Sequence, residues 1–98
     1  MSTEDAERGE YPRVVYRQEL DKFALANGVF VRALRVISAE LTDEGTVNLW
    51  FESTGKNSPL WGVFLIGTGH EIPNIAEHVA TLRDDDYVWH IYARRVHE

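Results

Sequence analysis

The residues best placed to do chemistry are Gly67-Thr68-Gly69-His70, where an apolar run ends in two glycines and a histidine. Glycine amides after a strand can cradle a phosphate, and an imidazole beside them can act as a base or a cation. A phosphate loop needs a Gly-Lys-Ser/Thr ending, and a dinucleotide loop needs a third glycine opening a long helix. Neither is present, and a sharp turn with outward-pointing amides accounts for both glycines. His70, His78, His90 and His97 lack the i, i+4 spacing of zinc enzymes, and no cysteine assists them. His90, within an apolar strand, reads as a hydrogen-bonded, semi-buried histidine. No serine sits in a Gly-x-Ser-x-Gly elbow. Asp84-Asp85-Asp86 lacks the alternate ligands and central glycine of a calcium loop and reads as a solvated hairpin tip. No catalytic residue, metal site or cofactor is therefore assigned. The candidates left are binding residues: Gly67, Thr68, Gly69 and His70 with Trp89 and His90 as an anion or nucleotide pocket, and Trp50 with Trp61 as an aromatic patch.

The elements that must hold these residues read as strands. Tyr11 to Leu20 alternates with period two, and Phe23-Ala24-Leu25 reads as a short second strand. Asn27-Gly28 is a turn signal. Val29 to Leu41 is the longest candidate, apolar on both faces, which suggests an interior strand or a bulge that switches face. Asp43-Glu44-Gly45 suits a three-residue hairpin loop, pairing Leu41 with Val47, Ala39 with Leu49 and Ile37 with Phe51. A second hairpin across Thr54 to Asn57 would pair Phe51 with Leu60, Leu49 with Gly62 and Val47 with Phe64. It would set Trp50 directly across from Trp61. Trp50, Trp61, Val63 and Leu65 would then share a face that is either a second core layer or an exposed interface. Pro73 to Glu77 suits one turn of helix, His78 to Arg83 a short strand and Tyr87 to Ala93 the last strand.

The expectation is an all-β domain: a small antiparallel barrel or curled sheet of about six strands, with at most one short helical turn and meander-like pairing. Residues 1–10 carry a charge of −3 and no large apolar group, and read as a flexible acidic tail; residues 11–98 form a single domain. The chain of 98 residues has no cysteine, a net charge of −6 and a pI near 5.1. That balance argues against non-specific nucleic-acid binding, which needs a basic face, and against an anionic membrane surface. No apolar run approaches a membrane span, and the N-terminus lacks a signal peptide's basic start.

The run Phe64-Leu65-Ile66-Gly67-Thr68-Gly69-His70-Glu71-Ile72-Pro73, followed by Val88-Trp89-His90, resembles a family of small bacteriophage proteins, a domain of unknown function. Tyr16-Arg17-Gln18-Glu19-Leu20 is similar in kind. The resemblance implies a phage origin and an accessory role in the cytoplasm of an infected bacterium, and it implies no catalysis. The sequence reading is thus a non-enzymatic protein that binds a host protein and modulates a host process or defence. Self-association through edge strands is compatible with it. The alternatives are a small-ligand or nucleotide binder using the Gly-Thr-Gly-His loop, and a minor virion component.

Overall fold

The computed structural model describes residues 12–97. The acidic tail expected over residues 1–10 lies outside them. The described residues form seven strands in two antiparallel sheets that do not close into a barrel. The strands are β1 (Val14–Leu20), β2 (Val29–Arg32), β3 (Arg35–Leu41), β4 (Val47–Ser53), β5 (Leu60–Gly67), β6 (Glu77–Asp84) and β7 (Tyr87–Arg95). Sheet A runs β1-β4-β3 and sheet B runs β2-β5-β7-β6.

The clean alternation of β4 becomes a clean alternation of burial. Val47, Leu49 and Phe51 point inward against sheet B, and Asn48, Trp50 and Glu52 point away. The loop after β3 has the expected length. Gly45 takes φ +84, its N–H donates to Thr42 O, and Leu41 faces Val47 and Ala39 faces Leu49. The third expected pair is displaced. A bulge between Val36 and Ser38 leaves Ile37 without a partner, so Phe51 opposes Val36.

Further expectations are overturned. Phe23-Ala24-Leu25 is not a strand but the middle of the short helix α1 (Lys22–Asn27). The Asp21 carboxylate accepts from Ala24 N–H at 3.2 Å, and Gly28 ends the helix at φ +99. Leu25 is fully buried, whereas Phe23 is 80% exposed. Pro73–Ala76 is a tight turn closed by Ala76 N–H to Pro73 O, not a helical turn. Lastly, β4 and β5 do not pair. The hydroxyls of Ser53, Thr54 and Ser58 bond to one another and to the amides of Thr54 and Gly55, holding residues 54–59 as an arch from one sheet to the other. Phe51/Leu60, Leu49/Gly62, Val47/Phe64 and Trp50/Trp61 therefore do not meet. Each strand already has two other neighbours: β1 and β3 flank β4, and β2 and β7 flank β5.

The apolar stretch from Val29 to Leu41 crosses between the sheets at Ala33–Leu34. Ala33 N–H donates to Pro59 O at 2.9 Å, at the head of β5, and the next amide, Leu34 N–H, donates to Glu52 O of β4 at 2.7 Å. Two-sided apolarity arose because the chain changes sheets, not because one strand is interior throughout.

In sheet B, Val31, Val63, Leu65, Leu82, Ile91 and Ala93 face the core. This reverses the expected facing of β5. Val63 and Leu65 are the core layer, and Phe64 lies half-buried on the outer face, where its ring covers Gly28 and Gly62. A methyl added to Gly28 would stand 2.7 Å from Phe64 Cε1, at a φ that side chains rarely adopt. Gly28→Ala should therefore lower the unfolding free energy by about 1–3 kcal/mol. Ile91→Ala should cost about 2–5 kcal/mol, and Phe64→Ala clearly less, in urea titrations. A larger loss at Phe64 than at Ile91 would reverse the assignment of faces.

Candidate functional site

The outer face of sheet B is set by strand parity. Once Val63 and Leu65 point inward, Gly62, Phe64 and Ile66 point outward on β5, and Thr68 follows just past its end. Val88, His90, Tyr92 and Arg94 do so on β7. On β6 the bulge between His78 and Ala80 brings His78 and Thr81 to this side, opposite Tyr92 and His90. One row of the sheet thus reads Phe64, Tyr92, His78, and the next Ile66, His90, Thr81. Phe30 of β2 projects beside Gly62.

Hydrogen bonds order the polar part of this face. Thr68 Oγ1 donates to Val88 O at 3.0 Å, and a carbonyl can only accept. With its proton so committed, Thr68 Oγ1 must accept from His90 Nε2, 3.3 Å away. Neutral His90 then offers Nδ1 as an acceptor, and Thr81 Oγ1 donates to it at 3.3 Å. Thr81 Oγ1 in turn accepts from His78 Nε2 at 3.0 Å. The result is a one-directional chain from His78 through Thr81, His90 and Thr68 to Val88 O. The His78 and His90 rings lie 5.8 Å apart, and His78 meets Tyr92 edge-on at 5.4 Å. The Arg94 guanidinium sits 5.6 Å over the Phe64 ring and donates to Asn74 O at 3.3 Å.

That last bond locates the β5–β6 connection. Both strands are antiparallel to β7, so residues 68–76 must return along the length of the sheet. Sheet A fills the inner side, which leaves the outer one. The segment opens with a turn closed by His70 N–H to Gly67 O, with Gly69 at φ +90. Ile75 takes φ +58, an uncommon conformation for a β-branched residue.

The sequence candidates fall into three places. His90 and Thr68 join the outer-face chain. Gly67, Thr68, His70 and Trp89 line a cleft of about 420 Å³ with Asp86 and Tyr87. The His70 ring packs beside Gly67, as does Trp89, and the ring neighbour of His90 is His78. Tyr87 stacks on Trp89, whose Nε1 is buried and finds no acceptor among the described residues. Gly69 shapes the loop. Trp50 and Trp61 lie on different sheets. Trp50 faces away from the core between Arg17 and Ser38, and the Trp61 indole donates to Ala33 O at 2.9 Å. His78, Thr81, Tyr92 and Arg94 were not singled out from sequence. The parity of Val88, His90 and Tyr92 was the available signal, whereas the bulge at Val79 hides the His78–Thr81 pairing. Among the described residues no group of three His, Asp or Glu side chains is placed to hold a metal ion.

This is a small two-sheet antiparallel β domain with a histidine–threonine chain on one outer face. The chain belongs to the family described as a domain of unknown function, DUF7352, which matches residues 12–98. No curated protein and no solved structure matches it.

The hydrogen-bond order fixes both tautomers. Long-range ¹H–¹⁵N spectra at mildly alkaline pH should show His78 and His90 protonated at Nε2. Thr68→Val should perturb His90 more than His78, and an Nδ1-protonated His90 would contradict the assigned order.

Proposed function

We propose that this chain is a non-catalytic binding protein that captures an extended segment of a protein partner between the free edges of β1 and β2. The observation that carries this reading is a part of the core that the described residues leave unroofed. Val14 and Tyr16 occupy the core side of β1, yet both remain 44% exposed. Tyr16 stacks on Phe51 at 5.8 Å, and an open groove of about 390 Å³ runs past Tyr16, Gln18, Phe51, Phe30 and Val31. Among the described residues each bordering strand is the edge of its sheet, and such an edge accepts an added strand. An apolar floor between two such edges suits an extended peptide with alternate apolar side chains. With the phage resemblance, the partner is a bacterial host protein, met in the host cytoplasm by an accessory protein that modulates a host process or defence.

The test is affinity capture from host lysate followed by amide-shift mapping with the purified partner. Retention should be lost in Tyr16→Asp, and shifts should concentrate in β1 and β2. Shifts confined to other strands would reject the groove. A concentration-dependent dimer with the same map would identify the added strand as a second copy.

A second reading rests on the Gly67–Trp89 cleft. Its size suits a small ligand, and Trp89 Nε1 would gain an acceptor from one. Saturable stabilisation by a member of a nucleotide panel, lost in Trp89→Phe, supports it; no shift across the panel rejects it. The third reading, a minor virion component, predicts the protein in the mass spectrum of purified particles.

A further inference from the structure

Phe23 is the most exposed large apolar side chain among the described residues. The fold gives no reason for a phenyl ring there, because α1 reaches the core through Leu25. What the ring borders is a cleft. Between α1, the Asp43–Gly45 loop and the end of sheet B lies an open volume of about 440 Å³. Ala26 of α1, with Leu65 and Trp89 from the core side of sheet B, supplies the rest of its apolar lining. That size falls within the range of small-molecule sites, about 300–1,000 Å³. The cleft shares Trp89 with the Gly67–Trp89 cleft and no other residue.

The charges around it are unbalanced. Lys22 is the one base in the lining, and its Nζ is paired with Asp84 at 3.1 Å. Two further carboxylates border the same space, Asp21 and Glu44. Asp21 gives Oδ2 to the Ala24 amide and keeps its other oxygen, and Glu44 is exposed with no hydrogen-bond or ion-pair partner. Three carboxylates, Asp21, Glu44 and Asp84, thus stand against one ammonium. A ligand anion would meet a surplus of like charge, and an uncharged ligand would leave that surplus unanswered.

Two aromatic rings and two uncommitted carboxylates around an apolar cleft suit one ligand chemistry. An organic ammonium ion carries its charge on methyl or methylene groups. Those groups pack on apolar walls while the charge is drawn to ring faces and carboxylates. A bare metal ion would need a set of ligands that the described residues do not assemble. We propose that the cleft between α1 and the Asp43–Gly45 loop binds an organic ammonium group, with Phe23 and Trp89 packing on it and Glu44 and Asp21 balancing its charge. The site is separate from the β1–β2 groove, and either can fail without the other.

The experiment is titration of the full chain with benzyltrimethylammonium, followed by amide and indole N–H shifts. Benzyl alcohol and phenylacetate serve as neutral and anionic counterparts. The cation should give saturable shifts in Lys22–Ala26, Gly45 and the Trp89 indole, weakened by added salt. Phe23→Ala should raise Kd about 2–5-fold. Glu44→Gln should raise it about 2-fold. Both positions are exposed, so neither change should disturb the fold. Tyr16→Asp should lose protein capture in the β1–β2 groove yet bind the cation unchanged. Comparison of acetylated trimethyllysine amide with spermidine then distinguishes a protein side chain from a free polyamine as the source of the ammonium group. No saturable shift at millimolar cation would overturn the site. So would equal binding of benzyl alcohol or phenylacetate, or shifts confined to Gly67–His70.

Discussion

One corner holds the two sheets together. Ala33 is fully buried, its amide donates to Pro59 O, and its carbonyl accepts the indole N–H of Trp61 at 2.9 Å. One residue later the backbone has joined the other sheet, through Leu34 N–H to Glu52 O. A buried peptide unit at a corner has no strand partner on either side, and leaving its groups unpaired would cost about 1–3 kcal/mol each. Pro59 and Trp61 satisfy them from the same end of β5. Trp61, which reads from sequence as part of either a second core layer or an interface, here ties β5 to the sheet crossing.

The consequences run outward from that corner. With Val31 opposite Trp61 on the core side, every second residue of β2 and β5 is assigned, and through β5 every second residue of β7. Phe30, Phe64, His90, Tyr92 and Arg94 face outward as a group because of it. The bulge at Val79 then rotates β6 so that His78 and Thr81 complete the same face. Two irregularities of backbone, a sheet crossing and a bulge, thus assemble one ordered surface from four strands. Among the described residues the opposite seam, between β1 and β2, stays uncovered.

Much of the fold could be read from the chain where the signal was local. The alternation of Val47 to Ser53, the three-residue loop with Gly45 and the acidic tip at Asp85-Asp86 each depend on neighbours in sequence. Three features did not yield to the same reading. Helix α1 has six residues, too few for periodicity to separate from an alternating strand, and its marker was the cap at Asp21. Leu60 to Ile66 is apolar at every position except Gly62, so the pattern says nothing of which side faces the core; only the strands beside it decide. A polar stretch with Gly55 and Pro59 reads equally as a hairpin or an arch, and the hydroxyls of Ser53 and Ser58 settle it by their mutual bonds. The site was half legible for related reasons. Thr68 and His90 stood out by residue type, but their meeting needs β5 beside β7, and His78 needs a bulge that leaves no mark in composition.

The central claim is the change of sheets at Ala33–Leu34. Cross-strand nuclear Overhauser contacts in the folded protein test it most directly. The account predicts contacts linking Val31 to Trp61 and Val36 to Phe51, with none linking Leu49 to Gly62. A ladder of contacts between β4 and β5, bringing Trp50 across from Trp61, would contradict it and turn Phe64 back into the core.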